Sequence, residues 1–177
     1  MHTHSIGTTL LVEGENEQDM KLGITGHQDF ASSQIRDWIR NSLRLIVESQ
    51  RPDLGYTCLA RGTDQIFARI LLKLQIPYVA IIASADYEKT FTTDELRNEY
   101  HRLLSTAENV VELQNLKATE SAFFAASKLL VDKSDRVIAV WDGLPAKGFG
   151  GTADVVNYAQ KTRKLLKHLN PRELTIS

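Results

Sequence analysis

Residues 137–140 read Val-Ile-Ala-Val and residues 78–83 read Tyr-Val-Ala-Ile-Ile-Ala. Runs this short and this apolar do not alternate with polar residues, so neither face of the strand they form meets water. Both faces must be covered, and a sheet lying between two layers of helices does that. The segments between such runs supply the helices. Ile35, Trp38, Ile39, Leu43 and Ile46 recur at helical spacing, as do Ile66, Phe67, Ile70, Leu71 and Leu74, and then Leu96, Tyr100, Leu103, Leu104 and Ala107. Further strands are predicted at Lys21–Thr25, Tyr56–Ala60, Asn109–Leu113 and Leu165–Leu169. Further helices are predicted from Thr119 to about Val131 and from about Ala153 to Thr162. Ser32 or Ser33, Thr63 and Thr152 stand where helix caps belong, and Thr92 with Glu95 matches a capping box. The alternation, at spacings suited to right-handed crossovers, predicts an α/β fold: a three-layer α/β/α Rossmann-like sandwich with a mostly parallel sheet.

At 177 residues the chain fits one such domain. Residues 1–20 read as an N-terminal tail or edge strand, centred on Thr8–Val12, and residues 21–177 as the Rossmann-like unit. His2 and His4 have no partner ligands nearby and read as part of a frayed end, so no metal is expected. The formal net charge of -1 lacks the basic excess of a non-specific nucleic-acid binder. The single cysteine, Cys58, cannot close an internal disulfide and sits in a strand-like run, which predicts an inert buried thiol in a reducing, cytoplasmic compartment. No apolar run has the length of a membrane span, and the amino terminus lacks the charged and apolar regions of a signal peptide.

Residues able to do chemistry gather where predicted strands end. Val137–Val140 leads into Trp141-Asp142-Gly143, then Gly148, Gly150 and Gly151 precede Thr152 and Asp154. Glycines let a backbone approach a ligand closely, and the first-turn amides of the following helix favour an anion. Arg61-Gly62-Thr63-Asp64 repeats the pattern after the second strand. Lys21–Thr25 runs into Gly26-His27-Gln28-Asp29, the kind of loop in which open α/β sheets hold ligands, and Ser84 follows Tyr78–Ala83 in the same sense. Arg61 suits a phosphate, or is a surface arginine. His27 suits ligand contact or proton transfer. Asp142 suits a sugar hydroxyl or a catalytic role, or is a turn residue before glycine. Asp64 and Asp154 suit ribose hydroxyls, or serve their helix dipoles. Trp141 fits core packing better than base stacking, and Glu99 and Glu120 fit solvated helix faces.

Leu22-Gly-Ile-Thr-Gly-His27, Leu59-Ala-Arg-Gly-Thr-Asp64, and Trp141-Asp-Gly143 leading to Gly148-x-Gly-Gly-Thr-Ala-Asp154 occur in that order relative to the strands. Together they resemble the SLOG superfamily, the Rossmann-like group containing the Lonely Guy phosphoribohydrolases and the DNA-processing protein A-like domains. The resemblance runs from about Lys21 to Leu169. It implies a cleft above the sheet's carboxyl edge for a nucleotide or nucleotide-derived ligand. Gly150, Gly151 and Thr152 match the phosphate-cradling turn, Gly62 and Thr63 a second turn, and Gly26 and His27 the first loop. Lonely Guy enzymes carry Gly-Thr-x-x-Glu, and the related nucleoside deoxyribosyltransferases Gly-Thr-Ala-x-Glu, with the glutamate acting on the glycosidic bond. Here that position is Val155, which can neither attack an anomeric carbon nor stabilise an oxocarbenium ion. Asp154 lies about 100° away around the helix.

The resemblance also takes in sensor domains that bind nucleotide signals without consuming them. The expectation is therefore a nucleotide-binding sensor or carrier with no separate cofactor and no turnover. The alternative is an N-glycosidase or phosphoribohydrolase acting on nucleoside monophosphates through Asp142, Asp154 or another cleft acid. Single-stranded DNA binding is a weaker third reading, against which the charge balance argues. A homodimer joined through helices is implied by resemblance alone.

Overall fold

Lys21–Gly26 forms the strand β1, buried along its length, on which the rest of the sheet is built. The computed structural model describes residues 19–177, so the predicted edge strand Thr8–Val12 and the pair His2 and His4 lie outside the described residues. After β1 come α1 (Ser33–Gln50), β2 (Leu54–Thr57), α2 (Thr63–Lys73), β3 (Tyr78–Ile82), a 3-10 turn (Tyr87–Thr90), α3 (Asp94–Thr106) and β4 (Asn109–Glu112). The chain continues through α4 (Glu120–Lys133), β5 (Arg136–Val140), α5 (Thr152–Lys161), β6 (Leu165–Asn170) and β7 (Thr175–Ile176).

The strands form one seven-stranded sheet in the order β4-β3-β2-β1-β5-β6-β7. Every neighbouring pair is parallel except β6 with β7, which closes one edge antiparallel. From β1 the chain steps outward to β4, and α4 then carries it back to β5 on the opposite side of β1. α1, α2 and α3 pack in sequence on one face, and α4 packs against α5 on the other. This is the three-layer sandwich the apolar runs call for. Val137–Val140 and Tyr78–Ile82 are buried on both faces, as a doubly covered sheet requires. The order reverses between β1 and β5, so the loops leaving those two strands diverge and leave a crevice at their C-terminal ends.

Several local expectations change. Thr93, not Thr92, caps α3, its hydroxyl accepting from the Leu96 amide at 3.3 Å, which leaves Glu95 one position short of a capping box. Gly62 and Gly151, not Thr63 and Thr152, are the caps of α2 and α5, and neither helix has a side-chain cap. β2 lies earlier than Tyr56–Ala60, because Leu59 takes a left-handed conformation (φ +55°) that ends the strand. β4 is exposed on both faces, unlike the other parallel strands, and β7 was not anticipated. No helix among the described residues is long and apolar enough to cross a membrane.

Candidate functional site

A cavity of about 670 Å³ opens over the C-terminal ends of β1, β2 and β5. Its floor is Ile24, Thr25 and Gly26 from β1 with Cys58 beyond β2; α4 contributes Phe123, Ala126 and Ser127, and α5 contributes Thr152, Ala153 and Val155. The loop between β5 and α5 forms one whole wall, from Trp141 through Gly151.

At the α5 end, Gly150 (φ +74°) donates its N–H to Asp154 Oδ2 at 2.8 Å. The Gly151 N–H reaches Gly148 O at 3.3 Å. The amides of Thr152 and Ala153 have no acceptor among the described residues, as the first turn of an uncapped helix dictates. Both residues line the cavity, so two unbonded donors stand in its wall at the positive end of α5. Lys147 stands on the same wall and makes no ion pair among the described residues. The glycines have a packing reason as well. A Cβ at Gly148 would lie 2.4 Å from Glu120 Oε1, and one at Gly150 2.6 Å from Phe124 Cβ, so the loop lies tight against the first turn of α4.

The turn between β2 and α2 does something else. Thr63 spends both its N–H (3.1 Å) and its hydroxyl (2.7 Å) on the carbonyl of His27. A Cβ at Gly62 would sit 2.2 Å from Gln28 O, and one at Gly26 2.7 Å from Thr63 Oγ1. Gly62 and Thr63 thus grip the loop after β1 from behind the cavity wall instead of lining it. That loop is pinned again at His27, whose N–H reaches Val140 O at 3.0 Å.

His27 and Asp142 meet on the wall. His27 Nε2 accepts from the Asp142 N–H at 3.0 Å and lies 3.2 Å from Asp142 Oδ1. Partial burial disfavours the charge on Asp142, but the Leu144 amide and the His27 ring outweigh it and hold the carboxyl below its ordinary value. At the rim, Arg61 pairs with Asp29 at 2.8 Å and reaches Gln28 Oε1 at 3.4 Å.

Deeper in, Asp64 is 6% exposed and takes the Cys58 N–H at 3.1 Å. Burial pushes its carboxyl up to about 7, against the opposing hydrogen bonds from the Cys58 and Ala60 amides and the Thr57 hydroxyl. Burial, and then the neighbouring Asp64 charge, push the Cys58 thiol well up, against a hydrogen bond with Ser127. A thiol so raised is a poor nucleophile at neutral pH.

Besides Gly62 and Thr63, two more sequence-selected residues lie off the wall. Ser84 is buried and donates to Asp86 Oδ1 at 3.1 Å, and that oxygen also accepts the Ala118 N–H at 2.6 Å, so Ser84 belongs to a fastener between loops. Asp154 turns back onto Gly150, as its rotation around α5 requires. Gly26, His27, Gln28, Arg61, Asp64, Asp142, Gly148, Gly150, Gly151 and Thr152 do come together around one cavity. Lys147, Phe149 and Ser127 also line it and were not singled out from sequence. The first two sit inside the glycine-rich loop, where a cation and an exposed aromatic were legible signals. Ser127 gave none, since helical periodicity does not say which flank of α4 overlooks the strand ends. Among the described residues no three His, Cys, Asp or Glu side chains group as a metal ion would need.

No family model matches the chain, and no curated protein matches it in sequence. Solved structures do. DNA processing protein A from Helicobacter pylori, described for its single-stranded DNA binding mode, is 17% identical with a TM-score of 0.60 over 83% of this chain and 64% of its own. The molybdenum cofactor binding protein of the phototrophic bacterium Rippkaea orientalis is 18% identical with a TM-score of 0.54, over 89% and 83%. DNA processing protein A from Streptococcus pneumoniae is 14% identical with a TM-score of 0.51, over 83% and 58%. The chain shares its overall fold with these proteins. At these identities the likeness speaks for the fold, and the chain spans less than two thirds of either DNA processing protein. Val155, at the position where the resemblance leads one to expect a glutamate, is buried and lines the cavity.

Proposed function

We propose that the cavity binds a nucleotide or nucleotide-derived small molecule, and that the chain acts as a sensor or carrier without cleaving a glycosidic bond. The observation that carries this reading is the pair of unspent amides at Thr152 and Ala153 beside Lys147, opening onto a cavity that has valine, at 155, where the glycosidic enzymes have glutamate. Backbone donors at a helix N-terminus, joined by a lysine, suit a phosphate. His27, Asp142 and Asp64 offer partners to sugar hydroxyls or ring heteroatoms. The likeness in fold to a molybdenum cofactor binding protein supports a small-molecule ligand.

The test is thermal melting of the purified chain against a panel of nucleoside mono-, di- and triphosphates and cyclic nucleotides, with the ligand then recovered and weighed by mass spectrometry. A ligand at a hundredfold excess over its Kd stabilises by about 2.7 kcal/mol, which a melting curve resolves. The expected result is stabilisation by at least one phosphorylated nucleoside, recovered intact, and its weakening in Lys147→Ala. No shift across the panel would overturn the reading.

A second reading rests on the contact between His27 and Asp142 on the wall. An ionised Asp142 carboxylate beside an imidazole is a competent acid–base pair, and it supports an N-glycosidase acting on nucleoside monophosphates. Release of free base, abolished in Asp142→Asn, would favour it over the sensor.

A further inference from the structure

Phe149 is 60% exposed on the cavity wall, an unusual place for a phenyl ring to remain in water. It is not loose. Its ring packs edge-to-face on Phe124 at 5.2 Å between centroids and 72° between planes, and Phe124 in turn lies on α4 with Lys128 Nζ 6.0 Å from its ring. A single edge-to-face neighbour covers at most one face of the ring, which is why so much of Phe149 stays exposed where it lines the cavity. The backbone fixes the spacing to the anion end. Gly150, in the left-handed region, turns the chain immediately after Phe149, and the free amides of Thr152 and Ala153 follow within four residues of it. An open aromatic face and an anion-seeking helix end thus stand side by side on one wall.

We propose that Phe149 is a ligand-binding residue that stacks on a planar heteroaromatic ring of the ligand while its phosphate sits at the α5 amides. The inference rests on the nucleotide-binding reading and deepens it by assigning the ring's platform. Stacking on an aromatic side chain tolerates any base, so Phe149 supplies affinity for a ring without selecting which ring. Selection falls to the polar groups deeper in the cavity.

The experiment compares two probes, AMP and ribose 5-phosphate, which share sugar and phosphate and differ by the ring. Affinities are measured by calorimetry for wild type, Phe149→Ala and Phe149→Tyr. Because the side chain is exposed, neither variant threatens the fold, and melting curves verify that. The expected result is that Phe149→Ala weakens AMP by about tenfold or more, in the range of a lost base–aromatic stack. Ribose 5-phosphate binding stays unchanged, and Phe149→Tyr binds AMP as wild type does. Equal AMP affinity in wild type and Phe149→Ala would overturn the assignment and leave the nucleotide reading standing. An equal loss for both probes would also overturn it, by marking Phe149 as a support of the loop. A concentration-dependent change in oligomeric state in Phe149→Ala, with AMP affinity intact, would assign the ring to a contact between copies instead. Failure of AMP to bind wild type at all would count against the nucleotide reading itself.

Discussion

Asp64 is a carboxylic acid with no cation at salt-bridge distance among the described residues, held under the turn that follows β2. Its folded value of about 7 stands above the 3.8 of an unburied group, so between those values the folded chain keeps a proton that the unfolded chain has released. Stability then falls as pH rises. The advantage of the protonated form is complete below about 3.8 and is lost as pH climbs through 7. Asp64→Asn removes that titration while keeping an oxygen for the Cys58 amide. Between pH 5 and 8, wild type should lose stability relative to Asp64→Asn by an amount on the order of a few kcal/mol, measured by urea unfolding. Parallel curves for the two would show that Asp64 is ionised throughout. Val155 makes the complementary point. Buried on the same wall, it adds no acid to the carboxylates at 64 and 142, one with its protonated form favoured by burial and the other engaged by His27.

At the scale of elements, the glycine turns diverge in role although they look alike in sequence. The turn at Gly62-Thr63 is a clamp between loops, and the turn at Gly151-Thr152 leaves the Thr152 and Ala153 amides open. Gly62→Ala would force a Cβ into the Gln28 backbone at a φ of +81°, a backbone-on-backbone clash that neither loop can relieve by a rotamer change. The expected loss is about 3 kcal/mol, seen as a fall of several degrees in the melting temperature, with the loop after β1 released. Much of the layered fold was legible because apolar runs such as Val137–Val140 admit few arrangements. The cleft at the ends of β1 and β5 follows from the strand reversal. What was not legible depends on partners distant in sequence. Nothing within Gly62-Thr63 reveals that His27 O will take both of Thr63's donors, and nothing in Ser84 reveals Ala118 closing on Asp86. The choice of Thr93 over Thr92 as cap turns on a one-residue shift in where α3 begins.

For the whole molecule, the reversal at β1 and β5 brings five separate stretches of chain to one opening: the segments after β1, β2, β3 and β5, and the first half of α4. At the α5 end of that opening the amides of Thr152 and Ala153 have no acceptor among the described residues. A phosphate should therefore report on a small, defined set of amides. The direct measurement is the amide nitrogen–proton spectrum of the labelled chain titrated with AMP. Saturable shifts are expected to be largest at Thr152 and Ala153 and to extend to Lys147 and Phe149, while Thr63, committed to His27, moves little. Saturable shifts centred on Gly62 and Thr63, or no saturable shift at Thr152 and Ala153, would contradict the placement of the ligand's anion at the start of α5.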